Sequence, residues 1–493
     1  MTLLISVFSV GIIGALAAIC LLRGQNLPVR WLFITAAAFP LGFSIISLLL
    51  FFTYLIHPVS GFKVTSFLLL LLAGAGSVCF FLRKKSSKNL SSALPASWTN
   101  SRLFLFWHSF SLVGKILLIA GFIILIWAFL RFLTAYESFT LHDIYGGWDA
   151  RFCWTLKAKF IVRDPSQWTH LFHDSIGLAH PGYPLLLPGS IAWGWLVHGH
   201  EAVIWPPLVA FLFMLSFSSI ILWYLWSFSH PICGLLGKAF LLSIYCVIYW
   251  SSCQYADVPL AFFITTATVL LTVSLKTSQP GLLWACGWMA GCAAWTKNEG
   301  FLLIAILGLI TLFSYRKNLQ KMKQVFLPFI GGLFLPVSAI LILKIFLTED
   351  NGEYLDSGRN LFDCIQALFG RPQHSLTILS GSVSFMTRPE WSGLWFLFGA
   401  TLLLSLVVFS IKKEKSWPFA AVTGLMLLGY FAVLHLSPHN IVWQMQTAFH
   451  RLLIHAAGPA LIFTFECWGK ILPPLLCEDK KRLLDSWAHS EQT

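Results

Sequence analysis

Charge is scarce in this chain. Asp, Glu, Lys and Arg make up 11% of its 493 residues, against about 25% in an ordinary soluble domain, and no polar stretch is long enough to build a soluble domain of any size. Acids are scarcer than bases, 20 against 33, for a net charge of +13. That excess would suit a nucleic acid only if the bases shared one soluble face. Instead they gather in short clusters between apolar runs: Arg83-Lys84-Lys85 with Lys88, Arg316-Lys317 with Lys321 and Lys323, Lys412-Lys413 with Lys415, and Lys480-Lys481-Arg482. This is the positive-inside bias of a membrane protein, and it argues against a nucleic-acid partner. No Lys or Arg precedes Arg23, so the first apolar run lacks the basic region of a cleaved signal peptide and is expected to be a retained span with its N-terminus outside. The eleven cysteines form no CxxC or zinc-like spacing, and no HExxH occurs, so spacing announces no bound metal.

What the chain has in abundance is apolar sequence, 57% of it. Runs long enough for a membrane span lie near 2–22, 31–56, 65–82, 115–133, 204–227, 238–251, 258–275, 282–295, 301–315, 325–347, 393–411, 418–436 and 452–468. The expected class is an all-α polytopic membrane protein with about 13 transmembrane helices. Two runs, 282–295 and 301–315, fall short of a full span, which predicts helices broken around a polar centre. All four basic clusters face the cytoplasm if 183–197 is re-entrant or interfacial, and three outside loops follow: 136–203, 348–392 and 437–451. The expected organisation is a three-span N-terminal appendage (1–82), a basic cytoplasmic linker (83–114), a main membrane module (115–468) and a cytoplasmic tail (469–493).

The first outside loop holds HDIYGGWDARFCWTLKAKF and then HDSIGLAHPGYPLLLP, with four aspartates and four histidines between His142 and Pro188. Charge beside a bilayer is costly and usually addresses a substrate, an ion path or another charge. WDARFCWTLKAKF has helical character; Asp149, Cys153 and Lys157 then share a stripe, with Asp149 and Lys157 about 12 Å apart along the axis. An acid and a base so placed can address two ends of one substrate. An interfacial amphipathic helix explains the aromatics and lysines equally well. His170, His173 and Asp174 resemble a metal-ligand set only loosely, and histidines at a headgroup boundary need no metal. The prolines of HPGYPLLLP prevent a continuous helix and set an extended approach to the next apolar segment, whatever His180 and Tyr183 contribute.

Further on, QYADVPLAFF puts Asp257 at an outer span boundary, and AAWTKNEGFLL puts Lys297 and Glu299 between two short spans. Lys297 and Glu299 either neutralise each other or leave the lysine to hold a lipid phosphate. FHRLLIH places Arg451 and His455 at i and i+4 near the outer end of the last span, where the arginine binds an anion or snorkels.

On these segments the region 115–468 resembles GT-C-type integral membrane glycosyltransferases, the group related to protein O-mannosyltransferases and lipid A aminoarabinose transferases. The resemblance implies a GT-C-like fold with interfacial helices in the first large extracytoplasmic loop. It also implies a polyprenyl-phosphate sugar donor, a glycan, lipid or protein acceptor, surrounding membrane lipids, and an active site on the extracytoplasmic side of a bacterial inner membrane. It makes Asp149 the catalytic residue; the chemistry of an inverting transfer, whose lipid-phosphate leaving group needs charge stabilisation, then makes Lys157, Lys297 and Arg451 the candidates to hold the donor phosphate. Asp143, His180, Tyr183, Asp257, Glu299 and His455 are left as substrate-binding positions. Two departures bear on the acceptor and on any divalent metal: Ala150 follows Asp149 where the mannosyltransferases carry a second acid, and Gly182 stands where relatives often place another. A transporter or flippase of lipid-linked sugars, with charges near the bilayer midplane, and an O-antigen ligase or polymerase are the competing expectations.

Overall fold

A computed structural model describes residues 2–86, 107, 110–349, 370–408, 416–437 and 439–470. The expected positions Lys88, Lys412, Lys413, Lys415 and Lys480-Lys481-Arg482, with most of the linker and tail and 350–369 of the second loop, lie outside the described residues.

The regular structure is helical. In chain order the main helices are α1 (Thr2–Leu21), α2 (Arg30–Ile56), α3 (Gly61–Ser86), α4 (Leu112–His142), α5 (Leu156–Arg163), α6 (Leu186–His198), α7 (Trp205–Phe228), α8 (Pro231–Ser243) and α9 (Tyr245–Ser252). They continue as α10 (Asp257–Thr277), α11 (Leu282–Thr296), α12 (Gly300–Tyr315), α13 (Leu319–Ile342), α14 (Pro372–Met386), α15 (Leu394–Val408), α16 (Trp417–Leu436), α17 (Ile441–Gln444) and α18 (His450–Gly469). Among the described residues eight helices are long and apolar enough to cross a membrane, or nine if α8 and α9, bent by 61° at Ile244, count as one. This is a multi-pass membrane protein.

Several expected boundaries are corrected. The helix expected over 115–133 extends from Leu112 to His142, into the stretch expected as the first loop. The second loop contains α14. The third is helical from Ile441: α17, a π-turn at Met445–Phe449 and α18 form one 29-residue rod, Ile441–Gly469. The first loop is helical in pieces, with a π-turn at Ala150–Thr155 leading into α5 and two 3₁₀ stretches at Pro165–Phe172 and Asp174–Ala179. Helix α6 has 13 residues, too few for a span at 1.5 Å each, and Leu186 to Trp195 are all buried inside the protein.

Helices α10 and α18 form the centre, with 94% and 83% of their apolar windows buried, whereas α4 is buried over only 22% and turns its Ile and Leu side chains outward. The two central helices come close because Gly458 faces Thr265; a Cβ there would sit 2.1 Å from the threonine hydroxyl. Gly300 is equally constrained: its Cβ would lie 2.1 Å from the backbone nitrogen of Ala294, so only glycine allows α12 to fold back so tightly on α11.

The expected appendage is not peripheral. Helix α2 packs on α6 and α7. Its Ser47 Oγ donates to the Leu185 carbonyl at 2.7 Å and receives the Trp295 indole N–H at 3.0 Å. One serine thus ties the end of the first loop to the end of α11. At the end of α10 away from that loop, Lys276 pairs with Glu466 of α18, and Tyr224 of α7 donates to the second Glu466 oxygen at 2.8 Å.

Candidate active site

The site starts from a docking of two turns. Gly146 has φ +74°, a left-handed conformation that glycine adopts without strain. The Gly147 N–H then donates to the Cys253 carbonyl at 3.1 Å, and the Gln254 amide donates to the Ile144 carbonyl at 2.9 Å. A Cβ on Gly147 would sit 2.7 Å from the Tyr255 hydroxyl, so the approach needs a second glycine. The Gly-Gly turn of the first loop is thereby seated on the turn that starts α10. Two residues beyond each turn stands an aspartate, Asp149 on one side and Asp257 on the other.

Arg451, in the first turn of α18, joins them. Its Nη2 donates to Asp149 Oδ2 at 2.6 Å and its Nε to Asp257 Oδ2 at 3.0 Å. Its guanidinium carbon lies 4.5 Å from the centre of the Tyr255 ring and 5.7 Å from that of Trp250, a cation–π setting. The other Asp257 oxygen takes the Lys297 ammonium at 3.0 Å and hydrogen-bonds His455 Nε2 at 2.9 Å; His455 Nδ1 meets the Tyr430 hydroxyl at 2.9 Å. Lys297 also pairs with Glu299 at 3.0 Å. Asp257 is fully buried among these partners, while the Asp149 side chain keeps 23% of its surface exposed.

Three carboxylates thus face two permanent cations, with His455 between. Burial works against the charged form of Lys297, but Asp257 and Glu299 outweigh it and hold its pKa above the ordinary lysine value. Burial likewise opposes ionisation of Glu299, and Lys297 overrides it, leaving the carboxyl below its usual value. Burial pushes the Tyr255 phenol up to about 12, so it stays protonated.

Six of the residues singled out in the sequence therefore meet: Asp149, Asp257, Lys297, Glu299, Arg451 and His455. The others are placed differently. Lys157, expected on the phosphate, is fully buried and donates to the carbonyls of His180, Pro181 and Tyr183 at 2.7, 3.4 and 3.0 Å. It clamps the HPGYP turn, in which His180 itself has φ +51°. The cause is that Asp149 precedes a π-turn, so the expected α-helical stripe from Asp149 to Lys157 does not form, and Cys153 donates to the Ala179 carbonyl. Tyr183 stacks on Trp154, and Asp143 pairs with Arg151. His173 lies 3.7 Å from Glu349. Among the described residues no group of three or more His, Cys, Asp or Glu is placed to hold a metal ion.

Sequence reasoning missed Tyr255, Trp250 and Tyr430. Tyr255 stood in plain view in the QYAD segment. Tyr430 lies in the middle of an apolar helix, and its one signal is that a buried phenol needs a hydrogen-bond partner. No family model, curated protein or solved structure matches this chain.

Proposed function

We propose that this protein is a glycosyltransferase that moves a sugar from a polyprenyl-phosphate-linked donor to a hydroxyl of an extracytoplasmic glycan, lipid or protein acceptor. The observation that carries the reading is the pairing of a partly exposed carboxylate, Asp149, with a largely buried arginine, Arg451, at 2.6 Å, at the end of a bundle whose apolar flanks suit a lipid tail. A base for the acceptor and a cation for a phosphate leaving group stand side by side. The reading also takes the shorter apolar helices, Gly61–Gly74, α11, α12 and Leu394–Leu406, as crossings. The thirteen-span GT-C-like topology then holds, in a bacterial inner membrane with the cluster outside.

In the reaction, the acceptor oxygen attacks the anomeric carbon from the face opposite the phosphate. The new oxygen–carbon bond forms as the carbon–oxygen bond to phosphate breaks, and the acceptor proton passes to the Asp149 carboxylate. The departing lipid phosphate carries the electron pair away as an anion. Such a leaving group calls for charge stabilisation rather than protonation, and Arg451 supplies it, with Lys297 adding positive potential from behind Asp257. Asp257, fully buried with Arg451, Lys297 and His455 on its two oxygens, is a positioning residue: it holds Arg451 in one orientation. No step of this scheme is routed through a metal.

A flippase reading would favour charges near the middle of the spans. Asp257 is instead the first residue of α10, and Lys297 and Glu299 lie in the turn between α11 and α12, which favours chemistry at the membrane surface.

The test is transfer of label from a panel of radiolabelled polyprenyl-phosphate sugars by membranes holding wild type or Asp149→Asn. Label reaching an acceptor with wild type alone is the expected result. No transfer from any donor by correctly inserted wild type would overturn the reading in favour of a transporter.

A further inference from the structure

The pairing that supports the function also poses a difficulty for it. Arg451 is the cation meant for phosphate, yet both edges of its guanidinium that hold partners in the structure hold carboxylates: Asp257 on Nε and Asp149 on Nη2. Its faces are covered by Tyr255 and Trp250. Lys297 is similarly spent, on Asp257 and Glu299, with 5% of its side chain exposed. With three carboxylates against two cations, an incoming phosphate meets a surplus of negative charge. Bidentate capture of a phosphate by an arginine needs two free N–H groups in the plane of the fork, and the edge at Nη2 is taken.

The acids are not equally able to give way. Asp257 is fully buried, with an arginine, a lysine and a histidine on its two oxygens. Glu299 is bonded to Lys297 and not to Arg451. Asp149 is 23% exposed and has Arg451 as its ion-pair partner, so its side chain can swing off the guanidinium by a rotamer change while the turn that carries it stays docked. Displacing Asp149 restores charge balance at the cluster and frees the Nη2 position of Arg451.

We propose that Asp149 closes the anion site at Arg451 in the resting protein, and that the phosphate of a lipid-linked donor opens it by taking over the Arg451 Nη2 position from this carboxylate. The inference rests on the glycosyltransferase reading above and adds an order of events to it. While Asp149 Oδ2 accepts from Arg451 Nη2 at 2.6 Å, that oxygen is occupied and is not open to an acceptor hydroxyl. Arrival of the donor releases Asp149, so the base becomes competent only when there is a sugar to transfer. The donor binds first and the acceptor second. Because both anions compete for one guanidinium, each weakens the hold of the other by the same factor.

The experiment measures binding of a short-chain polyprenyl monophosphate to the full-length protein in lipid nanodiscs, for wild type, Asp149→Asn and Asp149→Ala, with the uncharged polyprenol as control. Both substitutions should tighten lipid-phosphate binding, on the order of tenfold, and leave polyprenol binding unchanged. Asp143→Asn, which removes an equal charge from the same loop but from a carboxylate paired with Arg151, should not tighten it. Two independent Asp149 substitutions, each checked by melting temperature and size-exclusion profile, guard against one misfolded variant. If wild type binds lipid phosphate and neither Asp149 variant binds it more tightly, the exchange is overturned while the donor reading stands. Equal tightening in Asp143→Asn would overturn it too, by assigning the effect to surface charge. If neither wild type nor the variants bind lipid phosphate, the donor reading falls and the exchange falls with it.

Discussion

Helices α10 and α18 carry an ionic cluster at each end, and the two clusters are built differently. At the end away from the first loop, Lys276 and Glu466 form one pair; Lys276 and Glu466 both reach the Tyr224 hydroxyl, and Glu466 has a partner on each oxygen. The charges cancel and little of either side chain is exposed, 14% and 3%. About 28 Å along α10, the Asp257 cluster has three acids for two permanent cations, draws its members from four separate chain segments, and leaves Asp149 open to solvent. The same residue types in the same pair of helices thus make a closed brace at one end and an open site at the other. A buried charge by itself says little about function; an unbalanced cluster with one accessible member says more.

Mutation separates the two ends. Asp149→Asn should reduce transfer by about 10²- to 10⁴-fold, the range of a lost general base, and leave the melting temperature in detergent close to wild type. Glu466→Gln should do the reverse: it strands a buried lysine, costs about 3–5 kcal/mol of stability, and leaves specific activity per folded molecule nearly intact. A melting temperature lowered as far by Asp149→Asn as by Glu466→Gln would erase the distinction. The double change Lys276→Met with Glu466→Leu sharpens it, because replacing a closed pair with apolar groups is often near neutral. The matching change of Asp257→Leu with Arg451→Met should restore no transfer at all.

A smaller effect tests the docking of the turns. Gly147→Ala would place a Cβ 2.7 Å from the Tyr255 hydroxyl and shift Asp149 away from Arg451. Transfer should fall by up to about 10²-fold, whereas Gly424→Ala, whose Cβ meets open space, should change neither rate nor melting temperature. The smallest effect is on pH. Glu299 has a lowered pKa in the folded protein, so its contribution is present above the ordinary carboxylate value and is lost as pH falls through the folded-state value. Lys297 has a raised one, so its contribution is complete below the ordinary lysine value and is lost only above that. Melting temperature should therefore be flat through the neutral range and decline in acid, and Glu299→Gln should flatten the acid limb. A marked decline between neutral pH and the ordinary carboxylate value would contradict this pairing.

What could be read in the sequence follows the same division. The members of the loop-end cluster stand at the ends of apolar runs, where a single charge is conspicuous: Asp257 before VPLAFF, Lys297 and Glu299 between two short runs, Arg451 and His455 at the head of the last one. The approximate positions of the spans were legible for the same reason. Lys157 was read less well because its partners are backbone carbonyls, which leave no mark in a sequence, and because a π-turn after Asp149 breaks the stripe that an α-helical period predicts. The Lys276–Glu466 brace passed unnoticed since each residue lies within a turn or so of a helix end, where a lone charge looks like a snorkelling side chain. The rod from Ile441 was read as a loop because Asn440, Gln444 and His450 interrupt its apolar pattern, though Asn440 in fact caps the rod, accepting from the N–H groups of Val442 and Trp443.

Ser47 carries a consequence for how the molecule is made. Its hydroxyl waits for two partners that do not yet exist when α2 enters the membrane: Leu185, 138 residues later, and Trp295, 248 residues later. At a synthesis rate of roughly 5–20 residues per second, the second partner leaves the ribosome on the order of ten seconds or more after the serine. The early helices are then a template already standing in the bilayer when the segments of the Asp257 cluster arrive. Expressing those segments from a gene trimmed at the polar linker would leave them nothing to assemble on, and supplying residues 1–86 as a separate chain should restore assembly.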